Sequence, residues 1–194
     1  MMKSKKLKFT LLAVLTILFV SAFSQNKTKK NMEMKRILVV YFSATGTTKQ
    51  VAERLATIAN ADLCEIVPVR PYTSADLNWN DNQSRSSIEM NDAQARPEVK
   101  DMDVDLTKYD CIFLGYPIWW NLAPRVINTF IERNDLTGKT VIPFATSGSS
   151  SITGSVVALK KSYPKINWQT GKLLNHASEI DMEAWCNKLG ISAL

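Results

Sequence analysis

Apolar residues gather into five separate runs along this chain, and stretches with helical repeats fill most of the intervals between them. The first run, Ile37-Leu38-Val39-Val40-Tyr41-Phe42, is continuous, β-branched and aromatic, the pattern of a parallel strand buried on both faces. Behind it, Val51, Leu55 and Ile58 recur at helical spacing among Ala52, Ala56 and Ala59. Leu63 to Val69 reads as a second strand ended by Pro71. From Tyr72 to Asp105 the chain turns rich in Asn, Asp and Ser, with Trp79 in the middle. That stretch is too long for a bare loop in a compact domain, so a short helix is expected around Arg85 to Asp92. Cys111 to Gly115 is the third strand, and Pro124 starts a helix carrying Val126, Ile127, Phe130 and Ile131 that Gly138 closes. Val141 to Ala145 is the fourth strand, followed by a helix with Ile152, Val156, Leu159 and Tyr163 on one face. Ile166 to Leu174 is a weaker fifth strand. Ser178 opens the last helix, with Asp181 placed to complete a capping box and Met182, Trp185 and Leu189 facing inward. Five strands alternating with helices predict an α/β fold, a doubly wound five-stranded parallel sheet with helices on both faces.

In such a sheet, ligands bind at the carboxyl ends of the strands, where the strand order reverses. Three loops after strands are unusual here. Ser43-Ala44-Thr45-Gly46-Thr47-Thr48 joins the first strand to the first helix, and offers backbone N–H groups, a helix N-terminus and four hydroxyls to one dianion. It lacks the GxxxxGK[ST] spacing of a nucleotide P-loop and the GxGxxG of a dinucleotide site. An ordinary β-α turn with Thr45 or Thr47 as N-cap is the plainer reading. Tyr116-Pro117-Ile118-Trp119-Trp120-Asn121 follows the third strand. Adjacent tryptophans on an extended chain cannot both bury in one direction, so at least one is expected to face the crevice, with capping of strand ends as the alternative. Thr146-Ser147-Gly148-Ser149-Ser150 follows the fourth strand and supplies donors and hydroxyls suited to the edge of a heterocycle, or a solvated turn.

Charge and the N-terminus change the picture in one respect. The full chain carries 24 Lys/Arg against 18 Asp/Glu, a net charge of +6, but from Lys35 onward there are 17 of each. The excess lies in the first 34 residues, and nothing points to nucleic acid. Lys3, Lys5, Lys6 and Lys8 precede an apolar stretch from Phe9 to Val20, and Ala22-Phe23-Ser24 offers small residues for cleavage. Residues 1–24 therefore read as a secretory signal peptide with Gln25 as the mature N-terminus, and 25–34 as a polar tether. Export to the periplasm without stable membrane insertion is the expectation, and an uncleaved anchor is the alternative. The folded domain is expected to span 35–194, one domain of usual size.

Other chemistry is poorly supported. Cys64, Cys111 and Cys186 show no metal or thioredoxin-type spacing and fit buried structural thiols, although a disulfide is left open. Ser147 and Ser149 lack a GxSxG context, and the sole histidine, His176, has no evident acid partner. Asp101, Asp103 and Asp105 lack the spacing of a cation loop.

The hydroxyl loop, the Gly-Tyr-Pro-Ile-Trp-Trp segment and the Ser/Gly loop together resemble the flavodoxin-like family, over essentially all of Lys35 to Leu194. The likeness is to an exported bacterial subgroup with a region like Pro71-Tyr72-Thr73-Ser74-Ala75-Asp76 and Trp79 after strand two. The resemblance implies strand order 2-1-3-4-5 and FMN as cofactor. It implies that Ser43, Thr45, Gly46, Thr47 and Thr48 hold the FMN phosphate. Pro117, Ile118, Trp119 and Trp120 would line the ring, with Thr146, Ser147 and Gly148 beside it and Trp79 covering its outer face. Flavodoxins are typically acidic and carry a tyrosine after strand four, whereas this domain is neutral and has Thr, Ser and Gly there. The implied function is electron transfer between redox partner proteins. The alternatives are an FMN-dependent NAD(P)H:quinone or related oxidoreductase, and a non-redox binding module on the same fold.

Overall fold

The computed structural model describes residues 36–191, so the expected signal segment 1–24 and tether 25–34 lie outside the described residues. Strand β1 (Ile37–Tyr41) is an inner strand of a parallel sheet. It pairs with β2 (Asp62–Glu65) on one side, in the register Val39 to Leu63, and with β3 (Cys111–Pro117) on the other, Val39 to Phe113. Strand β4 (Thr140–Thr146) lies beyond β3, and two short segments, β5 (Asn167–Trp168) and β6 (Lys172–Leu173), both pair with β4. The order is 2-1-3-4-5, as expected.

Because successive strand residues point to opposite faces, each central strand feeds two cores. Val39, Tyr41, Phe113, Ile142 and Phe144 pack with Val51, Ala52 and Leu55 of helix α1 (Thr47–Ile58) and Met182 and Trp185 of helix α5 (Glu179–Lys188). Leu38, Val40, Ile112, Leu114 and Val141 pack on the other face. They meet Val126, Ile127 and Phe130 of helix α3 (Arg125–Arg133) and Val156 and Leu159 of helix α4 (Thr153–Ser162). The capping box of α5 forms as anticipated, with Ser178 and Asp181 each satisfying the other's backbone N–H.

Three expectations need correction. The fifth strand is split, and Pro143 explains why. Lys139, Val141 and Ala145 offer their carbonyls to the fifth position, so the intervening Pro143 also faces it and has no N–H to give. The ladder lapses there, and a Cβ on Gly171 would come within 3.0 Å of the Pro143 carbonyl. The second strand ends at Glu65 rather than Val69, because residues 67–69 turn to bond antiparallel with Glu98 and Lys100 at the far end of the insertion. Helix α3 ends at Arg133, not near Gly138: Asn134 takes up an extended backbone and its Nδ2 donates to the Phe130 carbonyl at 2.7 Å.

The insertion is clamped onto the fold. Its helix α2 (Arg85–Asn91) matches the helix expected there, and Ser84 caps it. Arg125 donates from Nη2 to the carbonyl of Met90 at 2.9 Å, satisfying the helix C-terminus, and Arg96 forms a two-pronged pair with Glu132 at 2.7 and 2.8 Å. Arg133 holds the Val99 carbonyl and Asp101. These bonds make the insertion a wall rather than a free loop.

Candidate functional site

The carboxyl ends of β1, β3 and β4 open into a cavity of about 770 Å³, within the range of small-molecule sites. The β1–α1 turn forms one end. Gly46 stands at the N-cap of α1 with φ 90°, a left-handed conformation that favours glycine, and its N–H donates to Ser43 Oγ at 3.1 Å. No side chain caps this helix and no acidic residue lies in its first turn, while intrahelical bonding begins with the Gln50 N–H on the Gly46 carbonyl. The first-turn N–H groups and the dipole are thus left for an anion. A threonine N-cap is not formed.

Thr45, Thr47 and Thr48 line the cavity, whereas Ser43 and Gly46 shape the turn behind it. Thr48 is buried, and its hydroxyl lies 2.8 Å from that of Thr146. Pro117, Ile118, Trp119, Trp120, Thr146, Ser147, Gly148 and Trp79 line the same cavity, so the structure brings together eleven of the thirteen residues singled out from the sequence.

The two tryptophans divide their roles through a reversal of the chain. Trp120 and Asn121 have φ of 47° and 63°, and Trp119 and Leu122 exchange N–H to carbonyl bonds of 3.0 and 2.9 Å, a two-residue turn of type I′. Holding two non-glycine residues in left-handed conformations costs about 1–2 kcal/mol each. Trp119 turns inward, edge-on to Phe42 at 5.7 Å and Tyr72 at 5.2 Å between ring centroids. Trp120 is left 44% exposed, and Trp79, which lines the same cavity, is 71% exposed.

No charged side chain lines the cavity among the described residues, so recognition there falls to hydroxyls, backbone groups and aromatic faces. Charge lies just behind. Arg85 stands 4.0 Å over the Tyr72 ring and donates to Glu89 at 2.6 Å, and the Tyr72 hydroxyl also donates to Glu89. Burial, then the bond to Glu89, pushes the Tyr72 phenol well above its ordinary range. Burial likewise pushes Tyr116 up to about 12; its hydroxyl pairs with Ser155 at 3.1 Å. Asp76 accepts from the Thr73 N–H at 2.9 Å and the Thr73 hydroxyl at 2.8 Å, which holds its carboxyl below the usual value.

Six lining residues escaped sequence reasoning: Ala44, Leu77, Ser86, Ser149, Ser150 and Asn175. Ala44, Ser149 and Ser150 lie inside loops already marked. Asn175 follows the last segment of the sheet, at the same carboxyl edge, and that position was the signal available. His176 is exposed, and among the described residues no hydrogen bond joins it to a serine; the Ser147 hydroxyl accepts the N–H groups of Ser149 and Ser150. Cys111 and Cys186 are buried and Cys64 half-buried; burial raises the Cys186 thiol to about 11. No group of metal-ligating side chains occurs among the described residues.

Residues 36–189 match the flavodoxin family. The solved structure of a protein from Bacteroides eggerthii DSM 20697, assigned as a flavoprotein, is 54% identical to this chain with a TM-score of 0.79, covering 81% of this chain and 99% of its own. Another so assigned, from Bacteroides uniformis ATCC 8492, is 52% identical with a TM-score of 0.77, covering 79% and 98%. A flavoprotein from Lactobacillus acidophilus NCFM, solved in complex with FMN, shares the fold at 24% identity and a TM-score of 0.61, over 72% of this chain and 93% of its own. No curated protein matches.

Proposed function

This chain belongs to the flavodoxin family, and we propose that its cavity holds FMN and that the protein carries electrons between redox partner proteins. The observation that carries the proposal is the donor set: an uncapped helix N-terminus with Thr45, Thr47 and Thr48 at one end of a neutral cavity, and an aromatic and apolar wall at the other. Those residues fit FMN. A single terminal phosphate suits a cradle of hydroxyls and N–H groups without a lysine, and a flat heterocycle suits the space bounded by Trp119, Trp120 and Trp79. FMN supplies the exchange of one or two electrons when bound. The chain's own part is to neutralise the phosphate through α1, exclude water with Pro117, Ile118 and the tryptophans, and hold donors of the 146–150 loop at the cavity edge.

The exposed Trp79 and Trp120 of the cavity lining support a protein partner, since aromatic residues are enriched at interface cores. The wall formed by Leu77, Trp79 and Ser86 supports a second reading, in which a quinone or similar acceptor is reduced at the cavity. Titration of purified protein with FMN, FAD and riboflavin tests the cofactor: FMN should bind one per chain and tightest. Riboflavin binding as tightly as FMN would overturn the role of the cradle.

A further inference from the structure

We propose that Asn175 is a positioning residue that presets the 146–150 loop for its ligand. This rests on the flavin reading above and deepens it. The loop leaves the end of β4, and its first residue is already joined to the aromatic loop, because the Ile118 N–H donates to the Thr146 carbonyl at 2.8 Å. On the other side of β4 the backbone ladder makes its last bond from the Leu174 N–H to the Ala145 carbonyl at 2.9 Å. Backbone pairing then stops, because the chain turns away, with the Ala177 N–H bonding the Leu174 carbonyl.

The Asn175 side chain takes over at that point. Its Nδ2 donates to the Ser147 carbonyl at 2.8 Å and its Oδ1 accepts the Ser147 N–H at 3.3 Å. An amide offers a donor and an acceptor side by side, as a peptide group does, so it extends the ladder by one rung past the end of the strand. With both backbone groups of Ser147 engaged, the Ser147 hydroxyl folds the loop back, accepting the N–H groups of Ser149 at 3.3 Å and Ser150 at 2.8 Å. Asn175 itself borders the cavity, and Ser147, Gly148, Ser149 and Ser150 all line it. One side chain just past the sixth strand segment thereby fixes the loop that follows the fourth strand. A site whose donors are fixed before binding spends less affinity on ordering them.

Alanine at 175 removes both bonds, whereas aspartate keeps an acceptor for the Ser147 N–H but sets an anionic oxygen against the Ser147 carbonyl. Amide hydrogen exchange on the apo protein reads the clamp directly. Asn175→Ala should speed exchange at Ser147 about tenfold or more, with the strands of the core unchanged. In flavin titrations the same variant should lose about five- to thirtyfold in affinity, for riboflavin as well as FMN because Asn175 bonds Ser147 and no residue of the phosphate cradle, and should shift the flavin midpoint potential. Asn175→Asp should lose affinity likewise, with a smaller rise in Ser147 exchange because the acceptor remains, and serves if the alanine variant does not fold. An unchanged Ser147 exchange rate overturns the clamp. Faster exchange with wild-type affinities and potential reduces Asn175 to a structural role and overturns the positioning role. If the wild-type protein binds neither flavin, the cofactor reading fails and the positioning role with it, while the exchange result still decides the clamp itself.

Discussion

The hydroxyls of Thr48 and Thr146 meet at 2.8 Å although 98 residues separate them along the chain. Thr48 belongs to the first turn of α1 and Thr146 ends β4, so this one bond joins the cradle for an anion directly to the start of the loop after β4. Both side chains are buried.

Removing one hydroxyl strands the other. Thr48→Val or Thr146→Val alone should each cost about 1–3 kcal/mol in urea unfolding, because a buried polar group is left without its partner. The double variant should cost less than the two single losses together. Thr48→Val should also weaken FMN more than riboflavin, since the cradle loses a donor to the phosphate. Strictly additive losses would show that the two hydroxyls do not act as a pair.

The tryptophans should separate stability from binding. Trp119 packs on Phe42 and Tyr72, so Trp119→Ala should destabilise the apo protein by about 3 kcal/mol, the low end for a large aromatic because the side chain is only half-buried. Trp120 is held at φ 47° and contributes little to the core. Trp120→Gly relieves that conformation, and apo stability should stay within about 1 kcal/mol of wild type while flavin affinity falls. Thermal unfolding and flavin titration of both variants check the division. A large stability loss for Trp120→Gly would contradict it.

Much of this arrangement is legible in the sequence, and what is not has identifiable causes. The continuous run at Ile37 and the helical repeat behind it locate the first turn without ambiguity, because strand and helix periods differ sharply. Convergence of the three loops follows from topology once the strand order is known. The reversal at Trp120 and Asn121 does not follow, because type I′ turns ordinarily announce themselves through glycine or Asn-Gly. The split of the fifth strand hinges on a proline in a different strand, Pro143, and on which edge its missing N–H faces. Leu77 and Ser86 reach the cavity through tertiary placement alone. The insertion is held by Arg96, Arg125 and Arg133, whose partners lie 34 to 36 residues away in sequence.

Acid should loosen the insertion through Asp76. The Thr73 N–H and hydroxyl, then Arg70, hold its carboxyl below the ordinary value of 3.8. A depressed folded-state value means the stabilisation is fully present above the unfolded-state value and is lost as pH falls through the folded one, so the window lies below about pH 4. Flavin release, followed by fluorescence recovery, should therefore steepen below about pH 4. Asp76→Asn should weaken binding at neutral pH and flatten the acid step; an acid step of unchanged shape would remove Asp76 from the account.

Reductive titration separates the carrier from the oxidoreductase. The cavity exposes Trp79 and Trp120 and, among the described residues, presents no charged lining side chain, which suits a partner that docks by apolar contact. A carrier should reduce in two resolved one-electron steps and turn over slowly with NADH or NADPH and a quinone. Its reaction with a protein partner should depend weakly on ionic strength, because electrostatic steering needs charge at the docking face. Trp79→Ala should slow that reaction, measured by stopped flow, while leaving FMN affinity within a few-fold of wild type. Rapid turnover with a nicotinamide and a quinone and no added protein, in a single two-electron step, would instead place the substrate at the wall of Leu77, Trp79 and Ser86 and overturn the carrier assignment.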